Sequence, residues 1–167
     1  MKIVIQIIGI AAMLGSVYSF QLNKHKHIMI AQIIATALFG VQYYLLGAFT
    51  GVALDAVGVV RNIVFYNKDK KWASGNIWTA VFALMMIAVG AVTYQNYVSL
   101  LMITAMVLNT ISFSFTKPKL VRRTILIASP FLLVYNILTG SIGGIINEIF
   151  TEISSVVGML RHDIKKK

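Results

Sequence analysis

Apolar residues in this chain neither alternate with polar ones, as in a half-buried strand, nor return every third or fourth position, as on a surface helix. They run on with little interruption. Seven such runs occupy about 3–21, 28–46, 50–66, 77–94, 97–115, 122–139 and 141–160. Each is roughly 17–20 residues long, and ~20 residues rising 1.5 Å apiece cross a hydrocarbon core of ~30 Å. Lipid offers no partner to a backbone amide, so runs of this length are helices. The pattern predicts an all-α membrane protein with seven transmembrane helices, in which the connections are too short to hold a soluble domain.

Composition agrees: 58% of residues are hydrophobic and 12% charged, the latter about half the usual share, and the mean hydropathy is +0.81. A net charge of +10 would suit nucleic acid, but its placement excludes that reading. Lys24 and Lys26 follow the first run, Lys68, Lys70 and Lys71 the third, Lys117, Lys119, Arg122 and Arg123 the fifth, and Arg161 with Lys165, Lys166 and Lys167 the seventh. The other connections, at Gly47–Phe49, Gln95-Asn96 and Gly140-Ser141, carry neither Lys nor Arg. By the positive-inside rule the N-terminus is expected outside and the C-terminus in the cytoplasm, with Lys2 on the wrong side and Arg61 inside a span. The basic C-terminal end also suits anionic head groups, although an orientation signal accounts for it. The stretch Met1–Phe20 has the features of a signal peptide. Cleavage there would remove a helix from a repeated unit, so it is read as a span. There is no cysteine.

That repeat appears when the chain is slid along itself by 93 positions. Tyr18-Ser19-Phe20 then overlies Ile111-Ser112-Phe113, Lys24-x-Lys26 overlies Lys117-x-Lys119, and Leu45-x-Gly47-x-x-x-Gly51 overlies Leu138-x-Gly140-x-x-x-Gly144. Asp55 falls on Glu148. The whole chain, 1–167, is read as one membrane domain: a first unit at about 3–74, a linker helix at about 77–94 and a second unit at about 96–167. Three spans are an odd number, so the linker is what lets both units share an orientation. The expected shape is two parallel three-helix bundles joined by a linker helix, a 3+1+3 plan with a pathway between the bundles. Trp72 and Trp78 at one interface, and Tyr43, Tyr44, Tyr94 and Tyr97 at the other, are expected in aromatic belts.

This plan, with a short basic loop after Ser19-Phe20-Gln21, resembles the SWEET and PQ-loop transporter superfamily. It is also similar across its length to a family of small bacterial inner-membrane proteins, the YgjV family. Gln21 stands where the superfamily has the Gln of Pro-Gln, preceded here by Phe20; the second copy has Phe113-Ser114. The resemblance implies a multi-pass protein of the bacterial inner membrane. It also implies proline hinges, a part open here to Pro130, with Pro118 expected in a loop. SWEET carriers place an asparagine in an Asn-x-x-Gly setting on the third helix of each bundle, where it contacts substrate; Asp55-x-x-Gly58 is similar in acidic form.

The third run carries Gly51, Asp55, Gly58 and Asn62 at i, i+4, i+7 and i+11, which places all four on one helix face. At the matched positions the seventh run carries Gly144, Glu148, Thr151 and Ser155. An ionisable group inside a membrane costs at least ~2.5–3.5 kcal/mol on insertion scales, so such groups face a cavity or a partner. The glycines are read first as close helix packing. Asp55 and Arg61 lie about 240° apart around one helix, too far for a bond within it, and Arg61 is expected to reach for the head groups. Glu152, a turn beyond Glu148, extends a proton path or meets water. Gln42 and Tyr135 occupy matched positions, beside Tyr43 and Asn136, and so do Ser16 and Asn109. His25, His27 and His162 are too dispersed for a metal site.

No nucleophile–base pair, phosphate loop or metal-ligand spacing appears, so neither an enzyme nor a cofactor is expected. The leading expectation is a carrier for a small polar solute, cationic or proton-linked, with its site between helices three and seven. Vitamin-precursor uptake is a variant, since nicotinamide riboside carriers share the 3+1+3 plan. The alternative is a sensor or assembly factor that binds a lipid or protein and moves nothing. Membrane lipid and a small molecule are the expected partners, and a homo-oligomer is left open.

Overall fold

The computed structural model describes residues 2–19, 25–115 and 118–160, and over these the chain is helical with no strand. The helices are α1 (Lys2–Ser19), α2 (His25–Leu45), α3 (Phe49–Tyr66), α4 (Ile77–Val92), α5 (Tyr97–Ser114), α6 (Pro118–Thr139) and α7 (Ile142–Met159). Each matches one apolar run to within a few residues. Five of them, among them the Lys119–Thr139 part of α6, are long and apolar enough to cross a membrane. The apolar parts of the other two, Met29–Leu45 and Ile77–Val92, are shorter because α2 begins with His25, Lys26 and His27 and α4 is a turn short. Pro118 begins α6 instead of lying in a loop. The first helical position suits proline, whose missing N–H would have had no partner there.

Two glycines end α2 and α6 in the same way. Gly47 has φ +74° and Gly140 φ +76°, the left-handed conformation that a side chain disfavours. Around the first, Ala48 N–H donates to the Tyr43 carbonyl at 2.9 Å and Gly47 N–H to Tyr44 at 3.1 Å. Around the second, Ser141 N–H donates to Asn136 at 2.9 Å and Gly140 N–H to Ile137 at 3.3 Å. These paired bonds satisfy the last helical carbonyls and turn the chain into α3 and α7 within a few residues. The membrane-normal ends are named here the glycine-turn end and the lysine-rich end.

Neighbour contacts run α1, α2, α3, α5, α6, α7 and back to α1, a ring of six, with α4 outside it against α3 and α5. Small residues close the two seams of the ring. Between α7 and α1 a Cβ on Gly143 would run into the Gly9 backbone. Between α3 and α5 the hydroxyls of Thr50 and Ser99 bond at 2.9 Å. Aromatic packing holds α4, with Phe65 of α3 edge-on to Phe82 at 6.1 Å between centroids. At the lysine-rich end Lys26 pairs with Asp69 at 3.0 Å, the one ion pair among the described residues.

Candidate functional site

Helical phase decides what the ring encloses. On α3, Gly51, Asp55, Gly58 and Asn62 are all buried, and half of that span is enclosed, more than of any other helix long enough to cross. On α7 the matched face buries Gly144, Glu148 and Ser155. Side chains from all six ring helices line one central cavity of about 110 Å³. Asp55 and Glu148 both face it, with Ser16, Gln32, Asn109, Asn136 and Asn147, while Met102, Met106 and Leu132 supply an apolar wall.

The two carboxylates are held differently. Glu148 accepts from the Ser129 hydroxyl at 2.6 Å and from the Asn147 amide at 3.0 Å, one bond to each oxygen. Asp55 is 6% exposed, and its Oδ2 is buried with no hydrogen-bond partner. Burying an unsatisfied acceptor costs about 1–3 kcal/mol and more for a charge, so this oxygen is a place where a ligand can be favoured.

Arg61 enters the same cavity and is 3% exposed. Its Nη1 donates to Thr110 Oγ1 at 2.9 Å, its Nε and Nη2 both to Asn62 Oδ1 at 3.2 Å, and its guanidinium lies 4.9 Å from the centre of the Phe113 ring.

Towards the glycine-turn end the cavity is closed by a tyrosine layer. Tyr43 donates to Asn136 Oδ1 at 2.6 Å and stands edge-on to Tyr135, 5.5 Å between centroids. Gly51 makes room for the layer: a Cβ there would stand 2.6 Å from the Tyr135 hydroxyl and 3.0 Å from the Tyr43 ring. Beyond it lies a polar vestibule of about 220 Å³ lined by Tyr135, Gln95, Asn96, Ser99 and Thr139. Gln6 and Gln95 brace the glycine turns. Gln6 donates to the Gly140 carbonyl at 2.9 Å and accepts from Ile142 N–H at 3.1 Å. Gln95 donates to the Gly47 carbonyl at 3.2 Å and accepts from Thr50 N–H at 3.5 Å.

With this geometry in view, a comparison with family models is decisive: that of the bacterial inner membrane proteins Imp-YgjV matches residues 3–166. The chain belongs to this family. Neither the curated proteins nor the solved structures yield a match. The Imp-YgjV family and the five long apolar helices together make the chain a multi-pass inner-membrane protein.

In this Imp-YgjV protein the ring brings together Asp55, Glu148, Asn109, Asn136 and Gly144 on the central cavity. Gln42 lies outside it, accepting from Ser141 Oγ at 2.8 Å in the seal at the glycine-turn end, and Tyr135 faces the vestibule. Asn62 serves Arg61, and Ser155 is buried on α7 away from the lining. A Cβ on Gly58 would meet Met106 and Thr36 at 3.4 Å, and Pro130 lies inside α6 with its side chain exposed to the surroundings. Gln21, His162 and the lysines at 24 and 117 lie outside the described residues. Helices α3 and α7 both line the cavity, through Asp55 and Glu148, and the other four ring helices line it with them.

Two expectations are corrected. Arg61 does not reach the head groups, because Thr110 and Phe113 of α5 hold it in the interior. Tyr43 does not belong to a belt: it is 3% exposed, whereas Tyr44, Tyr94 and Tyr97 are exposed as expected. Sequence reasoning also passed over Gln6, Gln32, Ser129 and Asn147. Their signal is weak, since single amides and hydroxyls in spans often only bridge helices. Among the described residues no group of three His, Cys, Asp or Glu is placed to hold a metal.

Proposed function

We propose that this protein is a carrier for a small polar solute, held in the central cavity and reached alternately from the two ends of the ring. The observation that supports this most is that Asp55 and Glu148, from different helices and matched at the 93-residue offset, line one central cavity. A sensor that moves nothing has no need of a carboxylate-lined cavity in the middle of the ring with a polar vestibule beyond it. The carboxylates take up the positive charge of the solute or a coupled proton. Tyr43, Tyr135 and Asn136 form the gate towards the vestibule.

The carrier is built from two parallel units, residues 3–74 and 96–167, on the plan that resembles SWEET and PQ-loop proteins. Tyr43 and Asn136 support this, since the positions they occupy are 93 apart and touch each other. Contact between matched positions is what a two-fold axis along the ring produces. The lysine-rich end faces the cytoplasm.

The test is uptake into proteoliposomes containing the full chain, with labelled choline, putrescine, nicotinamide riboside, alanine and glucose offered in turn across a pH step. At least one solute should enter with wild type. Asp55→Asn and Glu148→Gln, each monodisperse and folded, should abolish that uptake. Wild-type uptake in both variants would remove the carboxylates from the mechanism, and no uptake of any solute would sink the carrier reading.

A further inference from the structure

A guanidinium and a carboxyl on the central cavity each keep unfilled hydrogen-bonding capacity, and the carrier reading uses only the carboxyl. Arg61 is buried, yet its three hydrogen bonds all go to neutral acceptors, the Asn62 amide oxygen and the Thr110 hydroxyl. A guanidinium has five N–H donors, so two remain for something else. Among the described residues the single ion pair is Lys26–Asp69, so no carboxylate of these residues stands within 4.0 Å of Arg61. Asp55, on the same helix and facing the same cavity, has an oxygen with no donor. Glu148 differs, since Ser129 and Asn147 already supply a donor to each of its oxygens.

A buried guanidinium with donors to spare and a buried carboxyl oxygen with no donor are each costly to leave unfilled in one small space. They do not bond to each other directly, since six residues along α3 separate them by about 9 Å of rise and the hydrogen bonds of Arg61 go to Asn62 and Thr110. Their missing partners are an anion and a cation. A single molecule supplies both if it carries an ammonium and a carboxylate a few bonds apart. We propose that the cavity is a binding site for a compact zwitterion, whose ammonium docks on Asp55 and whose carboxylate docks on the free donors of Arg61. The volume of about 110 Å³ limits the solute to a small one, on the order of ten non-hydrogen atoms. Met102 and Met106 give the cavity an apolar wall suited to a short apolar side chain. Movement of the zwitterion rests on the carrier reading; its binding does not.

The test separates the two. Purified full chain in detergent is titrated by thermal stabilisation with alanine and β-alanine, with alanine methyl ester (ammonium alone), with N-acetylalanine (carboxylate alone) and with glucose. A zwitterion should stabilise the protein at concentrations roughly tenfold to a hundredfold below either one-charge analogue, as loss of one charged hydrogen-bonded partner implies. Arg61→Gln should erase the preference for alanine over its methyl ester, and Asp55→Asn the preference for alanine over N-acetylalanine. If either variant does not fold, the wild-type ranking alone decides. Equal response to alanine and its methyl ester, stabilisation by glucose alone, or no response to any of these probes would overturn the proposal. Zwitterion binding without uptake into proteoliposomes would keep this site and sink the carrier, whereas uptake of a pure cation with no zwitterion preference would do the reverse.

Discussion

A β-carbon at Gly144 would overlap the Asn136 carboxamide, and one at Gly51 would press on both Tyr135 and Tyr43. Neither neighbour can yield, since Asn136 is bonded to Tyr43 and all three side chains are buried. Gly51→Ala and Gly144→Ala should each lower stability by about 1–3 kcal/mol. Gly58→Ala, which meets only ordinary contacts at 3.4 Å, should stay within about 1 kcal/mol of wild type because alanine is the better helix former. Chemical denaturation in mild detergent would rank the three. A different outcome is expected for the exposed pair at the lysine-rich end. The Lys26 hydrogen bond and charge hold the Asp69 carboxyl below its usual range, and Asp69 raises Lys26. A lowered carboxyl favours the fold above its unfolded value of about 4 and loses that contribution as pH falls through the folded value. Both side chains are more than half exposed, at 51% and 57%, and solvent and salt screen such a pair. Asp69→Asn should therefore leave the melting temperature at neutral pH nearly unchanged and remove only a shallow loss of stability on the acid side.

At the scale of elements, the seven helices were legible because lipid leaves a backbone no other choice, and the ends of α2 and α6 because glycine sits where φ must be positive. Helical phase relative to distant neighbours was not legible. Tyr43 and Tyr44 are adjacent, so their side chains point about 100° apart; one meets Asn136, 93 residues away, and the other faces outward. Arg61 shows the same limit. Hydropathy sends an arginine to the head groups, and only Thr110 and Phe113 on another helix reverse that. The carboxylates were legible because a charge inside an apolar run stands out whatever it packs on. The ring makes α4 the exceptional element, since it lines no part of the central cavity. Phe82, 1% exposed between Phe65 and Trp78, anchors it. Phe82→Ala should cost about 3–5 kcal/mol of stability while leaving ligand-dependent stabilisation at the cavity unchanged. Loss of both would show that α4 shapes the cavity after all.

For the whole molecule, the distribution of basic residues predicts which end faces the cytoplasm. The chain has no cysteine, so single thiols report cleanly. In intact cells an impermeant thiol reagent should label Tyr94→Cys, in the α4–α5 connection, and should miss Lys70→Cys and Lys119→Cys until the membrane is opened. The reverse pattern would invert the protein, and labelling of Lys70→Cys but not Lys119→Cys would break the parallel arrangement of the two units.

The glycine-turn end is sealed by amides and hydroxyls, through Gln6, Gln42, Gln95, Thr50, Ser99, Ser141 and the Tyr43–Asn136 bond. In the proposed carrier, parting these groups would exchange their bonds for bonds to water and would also uncover the packed rings of Tyr43 and Tyr135. Apolar exposure raises heat capacity by about 0.45 cal/K/mol per Å² and polar exposure lowers it by about 0.26. Opening at this end of the proposed carrier would set these two contributions against each other, so its heat-capacity change should be smaller than that of an all-apolar seal of the same area and its van't Hoff line straighter. A gate plugged by leucines would bend that line more, so the proposed opening would keep more of its balance between the cold and the warm.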